Sequence, residues 1–257
     1  MSKQVVKNHW DNEPCGTRGI SLAEGPKLVE NFEKIEKRRY RLEPCIFEYA
    51  QFEKWRGKEI LEVGCGVGTD LLQFARAGAN ITAIDLSTKS ALLAKSRLQL
   101  YQFQGNVFNG DAENLPFQDN TFDFVYSWGV LHSTPDTEKS IREVHRVCKP
   151  GGNICIMLYN RHSLVALQIY LLYGLLALKP FQSVGDTIEK HLESPGTKAY
   201  TIAEARRMFA MFEDLEIEIV FTPYDLRYRR DSYLPQWLGK LVPRRFGWFM
   251  VIRGRKP

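Results

Sequence analysis

The stretch LEVGCGVGTD, Leu61 to Asp70, sets an apolar run containing an acid, Glu62, directly before a loop that carries Gly64, Gly66 and Gly68. An apolar run closed by glycines reads as a strand ending in a tight turn, and glycine lets backbone approach a ligand closely. The dinucleotide fingerprint G-x-G-x-x-G would place its third glycine at position 69, where Thr69 stands, and no Gly-Lys-Ser/Thr closes the loop as in an ATP phosphate site. Both phosphate readings therefore weaken. What fits is a loop of little side-chain bulk, an acid before it, and a second strand ending in Asp85, whose carboxylate can accept both hydroxyls of a ribose.

On either side of this loop the apolar periodicity alternates between strand and helix. Strands are expected at Glu59–Gly64, Asn80–Asp85, Asn106–Asp111, Phe122–Trp128 and Asn153–Leu158. Helices are expected at Asp70–Ala77, Thr88–Gln102 and Thr137–Cys148, the last capped by Asp136 and stopped by the turn Lys149-Pro150-Gly151-Gly152. The alternation implies an α/β fold with a doubly wound parallel sheet. Beyond Tyr159 the rhythm changes. An apolar helix comes first, then a loop with Gly, Pro and Ser at 193–197, then a helix opened by the capping box Thr201-Ile-Ala-Glu204 and running to about Met211. Two late strands, Leu215–Thr222 and Trp248–Gly254, read as an antiparallel edge to the sheet, joined by a basic, aromatic connection.

The chain's 257 residues suit one large α/β domain with appendages, and 44% hydrophobic with 25% charged residues is an ordinary globular composition. A net charge of +5 excludes few partners. Five scattered cysteines with no Cys-x-x-Cys pair argue against a disulfide framework and against a zinc site, and no metal cluster is expected. That usage suits a reducing cytoplasm, and the first residues carry no apolar core of signal-peptide length. The run SLVALQIYLLYGLLAL, Ser163 to Leu178, is too short for a hydrocarbon core of roughly 30 Å and is interrupted by Gln168. It reads as core or as a cover over a greasy substrate in preference to a membrane-surface face.

Between Glu59 and Tyr159 the residues resemble the class I S-adenosylmethionine-dependent methyltransferases, specifically the quinone-biosynthesis-like group of small-molecule methylases. Glu62-Val-Gly-Cys-Gly-Val-Gly68 resembles the family's first motif, Asp85 its ribose acid, and Gly110-Asp111-Ala112-Glu113 its adenine-binding turn. Asn114 to His132 resembles the run into the fourth strand, and Lys149-Pro-Gly-Gly152 the turn before the fifth. The resemblance implies a Rossmann-like, mostly parallel seven-stranded sheet with an antiparallel edge strand and helical cap insertions. It implies S-adenosyl-L-methionine as cofactor, held by Glu62, Gly64, Cys65, Gly66, Gly68, Asp85, Leu86, Asp111, Ala112, Glu113 and Ser127. One methyltransferase domain is expected, divided into an N-terminal helical lid (1–55), a cofactor-binding core (56–160), a helical cap (161–213) and a C-terminal strand pair (214–257). His9 and Trp10 fall in the lid. His9–Gly19 and Glu193–Tyr200 also resemble a less-characterised bacterial branch, whose substrates the resemblance does not supply.

A sulfonium methyl group is already activated, so such a protein has mainly to position a nucleophile in line and exclude water. His132, just past the fourth strand, is the candidate base, or else a residue that orients its loop. Trp128, Tyr159 and His162 are candidates for the substrate pocket. The basic stretch with Arg227, Arg229, Arg230, Lys240, Arg244 and Arg245 reads as a solvated loop, with an anion site as the alternative. A small-molecule acceptor is expected and no nucleic acid, because Ser127-Trp-Gly-Val-Leu-His132 stands where amino-group DNA methylases carry Asn/Asp-Pro-Pro-aromatic. A nonenzymatic module that keeps the cofactor fold is the other alternative, disfavoured by the intact loop and both strand-end acids.

Overall fold

The computed structural model describes residues 2–22, 25, 27–177, 181, 183–192, 194, 196–229 and 232–257, the side chains of 229 and 236 excepted. Leu178, Glu193 and Arg230 lie outside the described residues. Three helices, α1 (Lys3–Asn12), α2 (Leu28–Leu42) and α3 (Ile46–Ala50), precede the alternating part. There follow β1 (Glu59–Val63), α4 (Thr69–Arg76), β2 (Asn80–Asp85), α5 (Thr88–Leu100), β3 (Asn106–Asn109), β4 (Phe122–Trp128), α6 (Thr137–Val147) and β5 (Cys148–Tyr159). The remainder comprises α7 (Leu164–Tyr170), α8 (Val184–His191), α9 (Ile202–Met208), β6 (Glu213–Val220), β7 (Arg227–Arg229), β8 (Ser232–Tyr233) and β9 (Phe249–Arg255).

Seven strands form one sheet in the order β3-β2-β1-β4-β5-β9-β6. The pairs from β3 to β5 are parallel, whereas β9 runs antiparallel to both β5 and β6. The late strands do not simply add in chain order: β9 slots between β5 and β6, so the reversed strand lies one in from the edge. The chain winds outward from β1 to β3 and then returns to β4 on the other side of β1. That reversal opens a crevice at the carboxyl ends of β1 and β4, where open α/β sheets take ligands.

Alternating side chains feed two apolar layers, one on each face. Ile60, Ala83, Phe124, Tyr126, Cys155, Met157 and Val251 pack with α3, α4 and the inner side of α7. Leu61, Val63, Ile84, Val125, Ile154, Ile156, Met250 and Ile252 pack with α6 and α9. The helix ends follow local chemistry. Asp136 Oδ1 accepts the Lys139 N–H at 2.9 Å, and Thr201 and Glu204 close a reciprocal capping box.

Two expectations change. Lys149–Gly152 belongs to β5 itself, as a bulge: Phe122 pairs with Cys148 and Phe124 with Asn153, so four residues bulge opposite Asp123 alone. Gly151, at φ +75°, makes that kink, and the loop is fastened to the C-terminal tail by Gly151 N–H to Lys256 O and Lys256 N–H to Gly152 O, both 2.9 Å. The apolar run after Ser163 joins the core along one strip alone. Ser163 caps α7, a π-helical turn follows at Leu171–Leu175, and among the described residues only Val165, Ala166 and Gly174 are buried, while Leu167, Leu171, Leu172, Leu175 and Leu176 are exposed. A segment apolar on every side cannot announce which narrow strip will meet the body of the protein. Among the described residues no helix is long and apolar enough to cross a membrane.

Candidate functional site

The loop between β1 and α4 turns on its three glycines, all at positive φ. A Cβ on Gly64 would lie 2.3 Å from the Val130 side chain, and one on Gly68 3.0 Å from Ala94. These two are glycines because neighbours approach closely. Gly66, at φ +52°, has nothing within 4 Å of its missing Cβ and so faces open space. Asp85 holds this loop in place. Its Oδ2 accepts the Gly66 N–H at 2.8 Å and its Oδ1 accepts the Ser87 N–H at 2.9 Å. Burial pushes its carboxyl up to about 6, against those two N–H donors. A carboxylate offers about four acceptor positions, so two remain beyond the loop's own needs. Cys65 is buried, which pushes its thiol up, and Leu86 and Ala112 are half-buried beside the strand ends.

Behind the loop lies a charged network that sequence spacing did not reveal. Arg39 of α2 forks onto Asp70 in the first turn of α4, with Nε to Oδ1 at 2.9 Å and Nη2 to Oδ2 at 2.5 Å. The hydroxyls of Tyr40 and Tyr126 donate to the same carboxylate, each at 3.0 Å. Glu43, one turn on from Arg39, accepts the Trp128 indole N–H at 2.7 Å. Glu62 is buried beside this network, its Oε2 has no partner among the described residues, and burial and the Asp70 charge push its carboxyl well up despite Arg39. No local signal joins Arg39 to Asp70, 31 positions later.

At the carboxyl end of β4, a short 3₁₀ turn (Leu131–Ser133) carries His132. The ring is buried, lies 4.0 Å from that of Tyr159, and Tyr159 in turn stacks on Trp248 at 4.2 Å. His132 Nδ1 is buried without a hydrogen-bond partner among the described residues. The segment 197–200 runs over this site. Lys198 N–H donates to His132 O and Tyr200 N–H to Tyr159 O, while the hydroxyls of Ser133, Ser194 and Thr197 bond to one another. Burial, helped by the Lys198 charge, depresses His132 to about 3, so its imidazole is neutral at physiological pH.

The other residues expected from sequence divide into those at the mouth and those behind it. Asp111 Oδ1 accepts the Glu113 N–H at 2.9 Å, and Glu113 Oε1 accepts the Asp136 N–H at 2.8 Å. Lys3 of α1 bridges both acids, 2.5 Å from Asp111 and 2.6 Å from Glu113. At its other end α1 places Asp11 Oδ1 to accept from Ser87 Oγ at 2.8 Å, so the helix spans the crevice from the Asp85 side to the Asp111 side. The Ser127 hydroxyl donates to Val63 O at 2.9 Å, tying β4 to β1, and Trp128 is buried in the same apolar cluster as Tyr159 and Trp248. His162 is exposed, with its backbone N–H donated to Asn160 Oδ1.

Known proteins of similar sequence and fold place the chain in a family. A methyltransferase-domain family model matches residues 61–156. A demethylmenaquinone methyltransferase of Streptomyces avermitilis is 30% identical over 172 residues, covering 62% of this chain and 73% of that protein. The chain belongs to the class I S-adenosylmethionine-dependent methyltransferases. Its quinone-biosynthesis-like character extends beyond the core: a demethylmenaquinone methyltransferase of Bacillus licheniformis is 29% identical over 212 residues, covering 74% of this chain and 87% of that protein. A solved structure, the complex between the Haloferax volcanii Trm112 methyltransferase activator and the putative methyltransferase, matches with a TM-score of 0.65 at 17% identity, covering 98% of this chain and 97% of that one. At that identity the likeness speaks for the fold. The methyltransferase thus catalyses methylation of a small-molecule acceptor, and the family's methyl donor is S-adenosylmethionine.

Proposed function

We propose that this methyltransferase acts on a hydroxylated, largely apolar aromatic ring, a quinol-type acceptor of the sort its relatives' name describes. The observation that carries the reading is the buried, neutral His132 with its unpartnered Nδ1 beside the stacked Tyr159 and Trp248 rings. These groups are closed off from solvent, so a planar ring reaches them when the covering segment 197–200 shifts, and its hydroxyl then meets the acceptor atom that Nδ1 offers.

Three features suit the methyl donor: the open space over Gly66, the partnerless Glu62 Oε2, and the unused acceptor positions of Asp85. Asp85 would take the ribose hydroxyls, Glu62 the ammonium end, and the Asp111–Glu113 turn the adenine edge, with Arg39 supplying positive charge near a carboxylate. When bound, S-adenosylmethionine supplies a methyl carbon activated by its sulfonium charge. His132 accepts the acceptor's hydroxyl hydrogen and orients the nucleophile. A base depressed to about 3 is weak, yet it suffices when the proton moves late, since methylation of the oxygen, or of the ring carbon beside it with later loss of that carbon's hydrogen, turns a phenolic hydroxyl into a strong acid. The segment 197–200 covers the site and keeps water from the donor.

The purified protein, incubated with labelled S-adenosylmethionine and a panel of naphthoquinols, catechols, aromatic amines and carboxylates, is expected to label the hydroxylated rings, read by product mass. Methylation confined to amines or carboxylates would sink the proposal.

A further inference from the structure

The mostly exposed segment that follows Ser163 leaves an apolar surface of its own. Leu171, Leu172, Leu175 and Leu176 are exposed within six residues, Leu176 at 72%. The π-helical turn at Leu171–Leu175 opens the regular spiral and spreads these side chains while Gly174 stays buried. Helix α7 touches the turn Pro223–Leu226, which touches the turn Gln236–Leu241, where Trp237 and Leu241 are exposed at 60% and 72%. A chain of contacting elements thus carries large apolar side chains outward. Large apolar side chains exposed on neighbouring elements mark an interaction surface.

The charge beside it selects the partner. Arg227, Lys240, Arg244 and Arg245 are exposed on the same connection, and none has an acidic partner among the described residues. Helix α8, packed on α7, mixes Asp186 and Glu189 with Lys190, so among the described residues the unopposed positive charge sits at Arg227, Lys240, Arg244 and Arg245. A self-complementary contact between two copies would bring these four cations against their own counterparts. Leucines and a tryptophan beside Lys and Arg are instead the composition of elements that lie in the interface of an anionic bilayer without spanning it.

We infer that the face carrying Leu171, Leu172, Leu175, Leu176, Trp237 and Leu241, with Arg227, Lys240, Arg244 and Arg245 beside them, docks this methyltransferase on an anionic lipid bilayer. The inference stands on the surface alone and does not depend on which acceptor is methylated. The full chain is sedimented with vesicles of phosphatidylglycerol and phosphatidylcholine in equal parts, and with pure phosphatidylcholine vesicles. Binding is expected to the first, weakened by salt. The variant Arg244→Gln/Arg245→Gln should bind roughly 25-fold more weakly, at about fivefold for each cation near such a surface. The variant Leu172→Ser/Leu175→Ser/Leu176→Ser should also bind more weakly, with circular dichroism and S-adenosylhomocysteine affinity unchanged in both. Equal or absent binding to the two vesicle types would overturn the inference. So would a dimer, seen by light scattering, that the leucine variant converts to monomer.

Discussion

At His132 the environment changes what the residue can do. An ordinary histidine titrates near 6.5 and switches charge across physiological pH, but burial and Lys198 depress this one to about 3. The ring stays neutral over the whole working range, so turnover should show no step near pH 6.5 attributable to it. His132→Ala is expected to lower turnover on the true acceptor by about 10²-fold, the low end for a general base, because the base is weak. His132→Asn, which keeps a polar acceptor, should recover part of that loss. Paired single-turnover rates and cofactor affinities separate the roles: equal loss of rate and affinity would make the ring a prop for the cofactor pocket. A linked effect follows on stability. Unfolded chain takes up the proton near 6.5 and folded protein only near 3, so stability present above 6.5 is lost as pH falls, by about 1.4 kcal/mol per unit for this group.

The loop between β1 and α4 shows how one element assigns different duties to similar residues. Gly64 and Gly66 share positive φ, yet only Gly64 has a neighbour where its Cβ would go, the Val130 side chain. Gly64→Ala should therefore destabilise the fold by roughly 2 to 4 kcal/mol, from strain and overpacking together, in urea unfolding. Gly66→Ala should cost about 1 to 2 kcal/mol, the strain of a left-handed backbone, while sharply reducing S-adenosylhomocysteine binding in calorimetry. If Gly66→Ala binds as wild type does, the cofactor does not approach over that glycine. Helix α1 illustrates another kind of element. It buries only Val6 and is otherwise held by ion pairs and hydrogen bonds from Lys3 and Asp11, contacts that open at little cost.

Across the whole molecule, stability and ligand binding meet at Asp85. Its folded carboxyl sits at about 6 against roughly 4 when unfolded, so its favourable contribution to the cofactor-free protein is complete at low pH and is lost as pH rises through about 6. Ribose hydroxyls donate to the ionised form, so binding runs the other way. At pH 5 roughly a tenth of the carboxyl is ionised, and cofactor affinity should be about tenfold weaker than at pH 8. The rise in Tm produced by a fixed concentration of S-adenosylhomocysteine should shrink accordingly at pH 5. An undiminished rise would place the ribose away from Asp85. The same architecture sets the substrate side. The reversal between β1 and β4 brings loop, acid and His132 to one edge, and residues 197–200 cover it from beyond the sheet.

The amino-acid sequence by itself determined whatever depends on near neighbours along the chain. The glycine loop after β1, the alternation that makes a parallel sheet, the Asp136 cap and the Thr201–Glu204 box all follow from backbone geometry and hydrogen bonding over a few residues. The resemblance of its motifs to a methyltransferase family implied the sheet's topology and the methyl donor as well. Only the tertiary structure decided what depends on partners far apart: Arg39 on Asp70, Asp85 holding Gly66, and β9 slotting between β5 and β6. Only it turned His132 into a neutral weak base, because a pKa is set by burial and surrounding charge and not by the residue's name. It also put the leucines of 167–176 on the surface. Apolar composition drives burial in general, but which strip of a helix finds a partner is a property of the packed molecule.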